Sequence, residues 1–366
     1  MEIEINPNVF AAPRNRPPGM DPNVAYQPML EHRNQAFDWI SKTAIKLYYD
    51  SGAASVPPKV LDWLRRKDLS PIGGTPGTPL PDPDGAYKVA VIGDMGEGSP
   101  AQDRNTKQIM RWRPTHVATV GDNVYPLGRE RDWAKRFDPH YEELRMSTTW
   151  QPALGNHDYY AGDLTPYFKR FPQLKGQAYY SWSLGPADFF VIDTEQRLDG
   201  ASAQHAWLEQ ALAGSHAAYK VIQMHRPMVS SRAGSIGRNI YGSLGPMLAK
   251  YGVQLVLAGH EHGYERSVPL KGTTFMVVGG GGATTYGYPG RMPDHTQVRT
   301  GRNHHLEMAY NAAEMVLRAV DDRGSVYDTF RLTPNGKVTE ADGSVTQAAS
   351  GATELALETV AAGAPA

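Results

Sequence analysis

The chain contains no cysteine. That absence excludes disulfides, thiolate zinc sites and cysteine nucleophiles together, and leaves the redox compartment open. Neither charge is in excess: 37 Lys and Arg stand against 38 Asp and Glu among 366 residues. A chain so balanced has no general attraction for nucleic acid or an anionic membrane, so affinity for an anion must come from a local site. Long apolar runs are missing as well, and no stretch approaches the roughly 20 residues of a membrane-spanning helix. The opening Met1-Glu-Ile-Glu-Ile-Asn is acidic and lacks the apolar segment of a signal peptide. The cytoplasm is the default expectation, with a periplasmic or secreted setting for a chain already trimmed of a leader. No internal repeat is visible.

What is present divides into three stretches. Residues 1–85 read as an arm and helical extension. The first 29 are rich in Pro and Asn, then Phe37, Ile40, Ala44 and Leu47 recur at helical spacing. A second short helix starts at Pro57-Pro58, and the Gly- and Pro-rich run after Ile72 reads as a linker. From Tyr87 the texture changes. Short apolar runs at 88–93, 115–121, 150–155, 188–194, 219–224 and 253–259 alternate with helical stretches near 102–112, 131–146, 203–213 and 241–250. Such alternation predicts an α/β fold with functional residues at the carboxyl ends of strands. Runs at 273–280, 315–320 and 326–332 read as antiparallel strands. Residues 86–335 are therefore the expected α/β domain, and 336–366, without periodicity, a flexible low-complexity tail.

Five clusters fall where a predicted strand runs into a loop: Gly93-Asp94, Gly121-Asp122-Asn-Val-Tyr125, Gly155-Asn156-His157-Asp158, Met224-His225 and Gly259-His260-Glu-His262. Singly they say little. Gly-Asp after a strand is ordinarily a turn, and a lone His after an apolar strand is ordinarily a hydrogen-bonded core residue. Taken together they are more informative, because strand ends of one sheet converge at one edge. Two Asp, one Tyr, one Asn and three His delivered to one place suit two adjacent first-row metals. Carboxylate and phenolate match a hard trivalent ion, while amide oxygen and imidazole match a divalent one. The glycines ahead of Asp94, Asp122, Asn156 and His260 are expected to allow the chain reversals that aim the ligands. Gly279–Gly282 lacks the Lys-Ser/Thr of a phosphate loop and reads as backbone passing close to the site. His304-His305 fits either the pocket rim or a loop-to-strand junction.

The five clusters, in this order, resemble those of the calcineurin-like metallophosphoesterases, and Tyr125 three residues after Asp122 resembles the purple acid phosphatases in particular. The resemblance implies a four-layer αββα sandwich of two mixed β-sheets flanked by helices. It implies that Asp94, Tyr125 and His262 hold Fe(III), that Asn156, His225 and His260 hold a divalent ion (Fe, Zn or Mn), and that Asp122 bridges the two. The implied reaction is hydrolysis of a small-molecule phosphate monoester by in-line attack of a metal-bound hydroxide. His157 resembles the family histidine that binds substrate and protonates the leaving group, and Asp158 either orients its ring or is a loop carboxylate capping a local turn. Where small relatives carry a histidine beyond the segment His225-Arg-Pro, this chain has none. Arg232 or Arg238 is the candidate substitute for binding phosphate, against the alternative that both are solvated loop arginines. Two alternatives stand beside this reading: a diesterase or nucleotide pyrophosphatase on the same metals, and a metal-dependent binding protein without catalysis.

Overall fold

The computed structural model describes residues 72–73, 78–288 and 291–349. The helices expected before residue 71 and the last residues of the expected tail lie outside that range.

Two sheets face each other. In the seven-stranded sheet, β2 (Tyr87–Ile92), β3 (His116–Thr119) and β4 (Thr149–Pro152) run parallel. Antiparallel β12 (His304–Tyr310), β13 (Met315–Asp321), β14 (Val326–Leu332) and β15 (Val338–Glu340) extend it on the other side of β2. The eight-stranded sheet has parallel β6 (Ala187–Val191), β7 (Tyr219–Gln223), β8 (Leu255–Ala258) and β10 (Thr274–Val278) at its centre. Antiparallel β5 (Tyr180–Leu184) borders one side; β9 (Tyr264–Ser267), β11 (Thr296–Thr300) and β1 (Ile72–Gly73) border the other.

Strand alternation builds the layers. Val89 and Val91 of β2 face the core between the sheets together with Phe189 and Val191 of β6 and Leu255 and Leu257 of β8. Their neighbours Ala90 and Ile92 turn the other way, into a core with Ile109, Trp133, Phe137 and Tyr141 from the helices on that side. Phe190, Ile222 and Val256 do the same on the opposite face, against Leu208, Leu212, Leu244 and Leu248. Each central strand is thus buried on both faces, which is why it reads as a continuous apolar run. The result is helix, sheet, sheet, helix, as expected.

Several details differ from the sequence reading. The helix expected over 131–146 is two, Glu130–Arg136 and Asp138–Ser147. Pro139 lacks the N–H that would continue the first helix and disfavours helical geometry at the residue before it. The helix expected near 241 begins earlier, spanning Gly234–Tyr251. The presumed linker is partly docked: Ile72–Gly73 pairs with Val298 and Arg299, Leu80 is buried, and Asp82 binds Lys88 at 2.6 Å and also pairs with Arg318. Residues 336–349, read as loose tail, contribute β15 and are tied in by Glu340. His304 and His305 are fully buried in β12 and do not reach a pocket rim. Among the described residues no helix is long and apolar enough to cross a membrane.

Charge explains why β9 was invisible. Its Arg266 is completely buried, which is tolerable only because Asp328 takes Nε and Nη2 at 2.7 and 2.9 Å and Glu340 takes Nη1 and Nη2 at 3.0 and 2.9 Å. Phe330 lies under the guanidinium at 4.3 Å. Both partners come from distant sequence, so nothing local reveals a strand. Asp328→Ala is expected to destabilise the protein by about 3–5 kcal/mol in urea unfolding, because it leaves a buried cation half-paired. A loss below about 1 kcal/mol would show that Glu340 alone satisfies Arg266.

Candidate metal centre

Asp94 follows β2, Asp122 and Tyr125 follow β3, and Asn156 and His157 follow β4; His225 follows β7, and His260 and His262 follow β8. The first group comes from one sheet, and His225, His260 and His262 come from the other. The site therefore forms where carboxyl ends of two sheets meet, and not along one sheet edge as the sequence reading had it.

The turns that aim the ligands are made by the ligands themselves. Asp94, Asp122 and His260 adopt left-handed φ values of 53°, 48° and 69°. Such backbone costs on the order of 1–3 kcal/mol per residue and persists where the surroundings over-determine it, typically at functional sites. Of the preceding glycines, Gly121 itself takes a left-handed φ of 87°, and all of them give room. A Cβ at Gly259 would stand 2.6 Å from Asp94 Oδ2, one at Gly121 would stand 2.5 Å from the His225 ring, and one at Gly155 would run into the Asp122 amide. The 279–282 glycines let a third chain segment approach: Gly281 N–H bonds Gly93 O at 2.9 Å, and Ala283 N–H bonds Asp94 O at 2.9 Å.

All seven candidate ligands converge, in two groups. Asp122, His225 and His260 present ligand atoms within 4.8 Å of one another. Asn156 Oδ1 joins them, 3.0 Å from His225 Nε2. On the other side the Tyr125 hydroxyl lies 3.1 Å from Asp94 Oδ1 and 2.9 Å from His262 Nε2. Asp122 stands between the groups with one oxygen toward each: Oδ1 is 3.3 Å from His225 Nε2, and Oδ2 is 3.2 Å from the Tyr125 hydroxyl.

The surroundings fix ring orientation. His225 Nδ1 lies 2.8 Å from Val120 O and His262 Nδ1 lies 2.9 Å from Thr284 O. A proton on each Nδ1 leaves Nε2 as a bare donor facing the cluster, the usual arrangement for a ligating histidine. His260 is reversed: Nδ1 faces the cluster, 3.3 Å from His225 Nε2, and its Nε2 meets Arg226 Nη1 at 3.1 Å.

Electrostatics favour a cation. Asp94 and Asp122 are essentially inaccessible to water. Burial works against the Asp122 charge, yet His225 and His157 hold its carboxyl below the usual range. Burial likewise opposes a charged His225, which the Asp122 carboxylate nonetheless lifts to about 9. Burial together with Asp94 and Asp122 pushes the Tyr125 hydroxyl well above its ordinary value. Two carboxylates around a phenol, ringed by imidazoles, is a donor set that fits metal ions and gains from their charge.

His157 sits at the edge of the cluster. Its amide donates to Asp122 Oδ1 at 2.8 Å, its Nδ1 lies 2.7 Å from Pro126 O, and its Nε2 points inward, 4.0 Å from Asp122 Oδ2. The ring is oriented by that carbonyl and not by Asp158; of the two readings of Asp158, the structure gives the local cap. Asp158 instead accepts from the Gly155 and Asn123 amides at 2.9 and 3.1 Å and from Asn123 Nδ2 at 2.9 Å. It is a buried clasp between the β3 and β4 loops, with burial and nearby Asp122 raising its carboxyl to about 7.

Arg232 is exposed and stacks over Tyr286 at 4.6 Å, and Tyr286 in turn stacks on His262. Arg238 is half-buried on the helix Gly234–Tyr251. Among the described residues neither hydrogen-bonds a candidate ligand. The cation that does is Arg226, buried and paired with Glu195. The only local signal for it was its place directly after His225. Asp158→Ala strips three N–H groups of their acceptor and is expected to lower metal affinity 10–100-fold, read by chelator competition. Unchanged affinity would make the clasp irrelevant to the ligands.

The calcineurin-like phosphoesterase family profile matches residues 87–264. The human acid phosphatase type 7 is 31% identical over 237 residues, 57% of this chain and 53% of that protein. An Arabidopsis thaliana protein named probable inactive purple acid phosphatase 1 is 24% identical over 321 residues, 71% of this chain and 50% of that protein. The chain thus spans about half the length of these curated relatives. Purple acid phosphatase PPD1 from yellow lupin (Lupinus luteus) seeds shares the fold, with a TM-score of 0.62 at 21% identity over 70% of this chain and 55% of its own. Residues 87–264 are accordingly a calcineurin-like phosphoesterase domain, one that counts purple acid phosphatases among its homologues.

Proposed function

We propose that this chain is a dinuclear-metal phosphatase of the purple acid phosphatase type, acting on phosphate monoesters. The observation that carries the reading is the placement of Asp122, one oxygen toward each of two donor groups. Asp94, Tyr125 and His262 would hold a trivalent iron; Asn156, His225 and His260 would hold a divalent ion (Fe, Zn or Mn), with Asp122 shared. The bound pair would supply Lewis acidity to phosphoryl oxygens and lower the pKa of a water.

The chain's own residues supply the rest. A phenol buried beside two carboxylates ionises only against a strongly charged cation, which is the support for a trivalent ion at Tyr125. The His157 ring, fixed through Nδ1 on Pro126, turns Nε2 toward the cluster, where it can hand a proton to the departing alkoxide. Rigid strand ends hold these groups without reorganisation when charge develops on the phosphoryl group.

The deciding measurement is metal content with a visible spectrum on protein purified without chelator. Two metals per chain including iron, with a tyrosinate charge-transfer band that Tyr125→Phe abolishes, is the expected result. A coloured Phe variant would remove Tyr125 from the iron, and protein that takes no metal even on reconstitution would sink the reading. His157→Ala is expected to slow alkyl phosphates at least tenfold more than p-nitrophenyl phosphate, whose leaving group needs no proton. Equal slowing would deny His157 that role. Turnover of bis(p-nitrophenyl) phosphate matching that of the monoester would shift the assignment to a diesterase.

A further inference from the structure

Tyr160 has no part in the reading of the site, yet it touches two of its members. The chain at Asn156 forms one short helical turn, Asn156–Tyr159, and Tyr160 closes it. Residues three and four apart on such a turn share a face, so Tyr160 reaches both His157 and Asn156. Its hydroxyl accepts from Asn156 Nδ2 at 2.7 Å, and its ring packs on the His157 ring with centroids 4.6 Å apart. The His157 ring also meets Tyr125, at 4.4 Å. Tyr160 itself is half-buried, whereas Asn156 is buried.

The bond to Nδ2 bears on what the other end of the amide can do. A carboxamide carries an acceptor oxygen and a donor nitrogen of nearly the same shape, and a half-turn exchanges them. Only the oxygen can serve a metal ion. In this structure Oδ1 faces inward, 3.0 Å from His225 Nε2, and Nδ2 faces the Tyr160 hydroxyl. A cation at the cluster requires that orientation, so the N–H groups must find their acceptor on the outer side. Tyr160 supplies one. Without the hydroxyl, every metal-loaded molecule would keep a buried donor against a hydrocarbon ring, which is costly. A metal-free molecule escapes that cost by turning the amide over. Loss of the hydroxyl therefore weighs on the loaded state and not on the empty one.

We propose that Tyr160 is a positioning residue for the divalent ion, its hydroxyl holding the Asn156 amide with the oxygen toward the ligand cluster. The inference rests on the dinuclear reading of the site. Asn156 belongs to the donor group of His225 and His260, so the effect falls on one ion of the two.

The test sets full-length wild type beside Tyr160→Phe and Tyr160→Leu. Both ions are counted per chain during stepwise competition with a chelator, and urea unfolding is followed on the metal-free proteins. Tyr160→Phe keeps a ring on His157 and loses only the hydroxyl. It is expected to hold the divalent ion about 10–100-fold more weakly, the range for a group that orients a ligand from behind. The other ion, the tyrosinate band and the urea midpoint should remain at wild-type values. Tyr160→Leu should show the same selective loss. Wild-type affinity for the divalent ion in Tyr160→Phe overturns the proposal. So does a loss confined to Tyr160→Leu, which would assign the effect to the ring. Parallel loss of both ions, or a lowered urea midpoint in Tyr160→Phe, overturns it as well, since Tyr160 would then be a general support of the loop. Wild type that binds fewer than two ions removes the dinuclear reading, and this inference with it.

Discussion

Two carboxylates, Asp94 and Asp122, are sealed from water at the meeting of two sheets, and the remainder of the site is arranged around their charge. An unpaired buried carboxylate is costly, so each oxygen must be answered by a donor or a cation. Main-chain N–H groups answer part of it: His157 for Asp122 and His260 for Asp94. Those amides reach the carboxylates only because Asp94, Asp122 and His260 turn left-handed and because glycines at 121, 155 and 259 leave the space empty. What main-chain donors cannot neutralise, imidazoles and metal ions can.

Such an arrangement needs a frame that does not yield. The central strands are apolar on both faces, and three separate cores lock the layers. The Asp158 clasp joins the β3 and β4 loops, and the 279–283 segment is hydrogen-bonded across Gly93 and Asp94. Behind His262, the strand β9 is anchored by Arg266 to Asp328 and Glu340, so charges far from the site hold one of its candidate ligands in register. Rigidity of this order is what electrostatic catalysis requires, because donors fixed before the reaction need not reorganise during it.

Among the relatives, one whose name states an activity and one whose name states its probable loss are each 24% identical to this chain. Overall likeness therefore decides little about catalysis, which rests on individual side chains. In this chain the candidate donors, the inward-facing His157 and the buried Arg226 all stand together at one strand-end cluster.

The sequence by itself determined the α/β alternation, the strands that end at Asp94, Asp122, Asn156, His225 and His260, and the candidate donors that the structure brings together. These features are legible because they are local: an apolar run followed by a polar residue needs no distant partner to be recognised. It misassigned what depends on partners far along the chain. Charged β9 is a strand only because Asp328 and Glu340 meet Arg266, and β15 is held by the same contacts. Asp158 reads equally as a support for His157 or as a local cap; it caps Gly155, and its tie to Asn123 of another loop is what no local pattern shows. Arg226 went unremarked because its significance lies in meeting Glu195 and His260, each more than 30 residues away. Only the tertiary structure decided those roles, since a hydrogen bond or ion pair acts across space and leaves no periodicity in the chain that makes it.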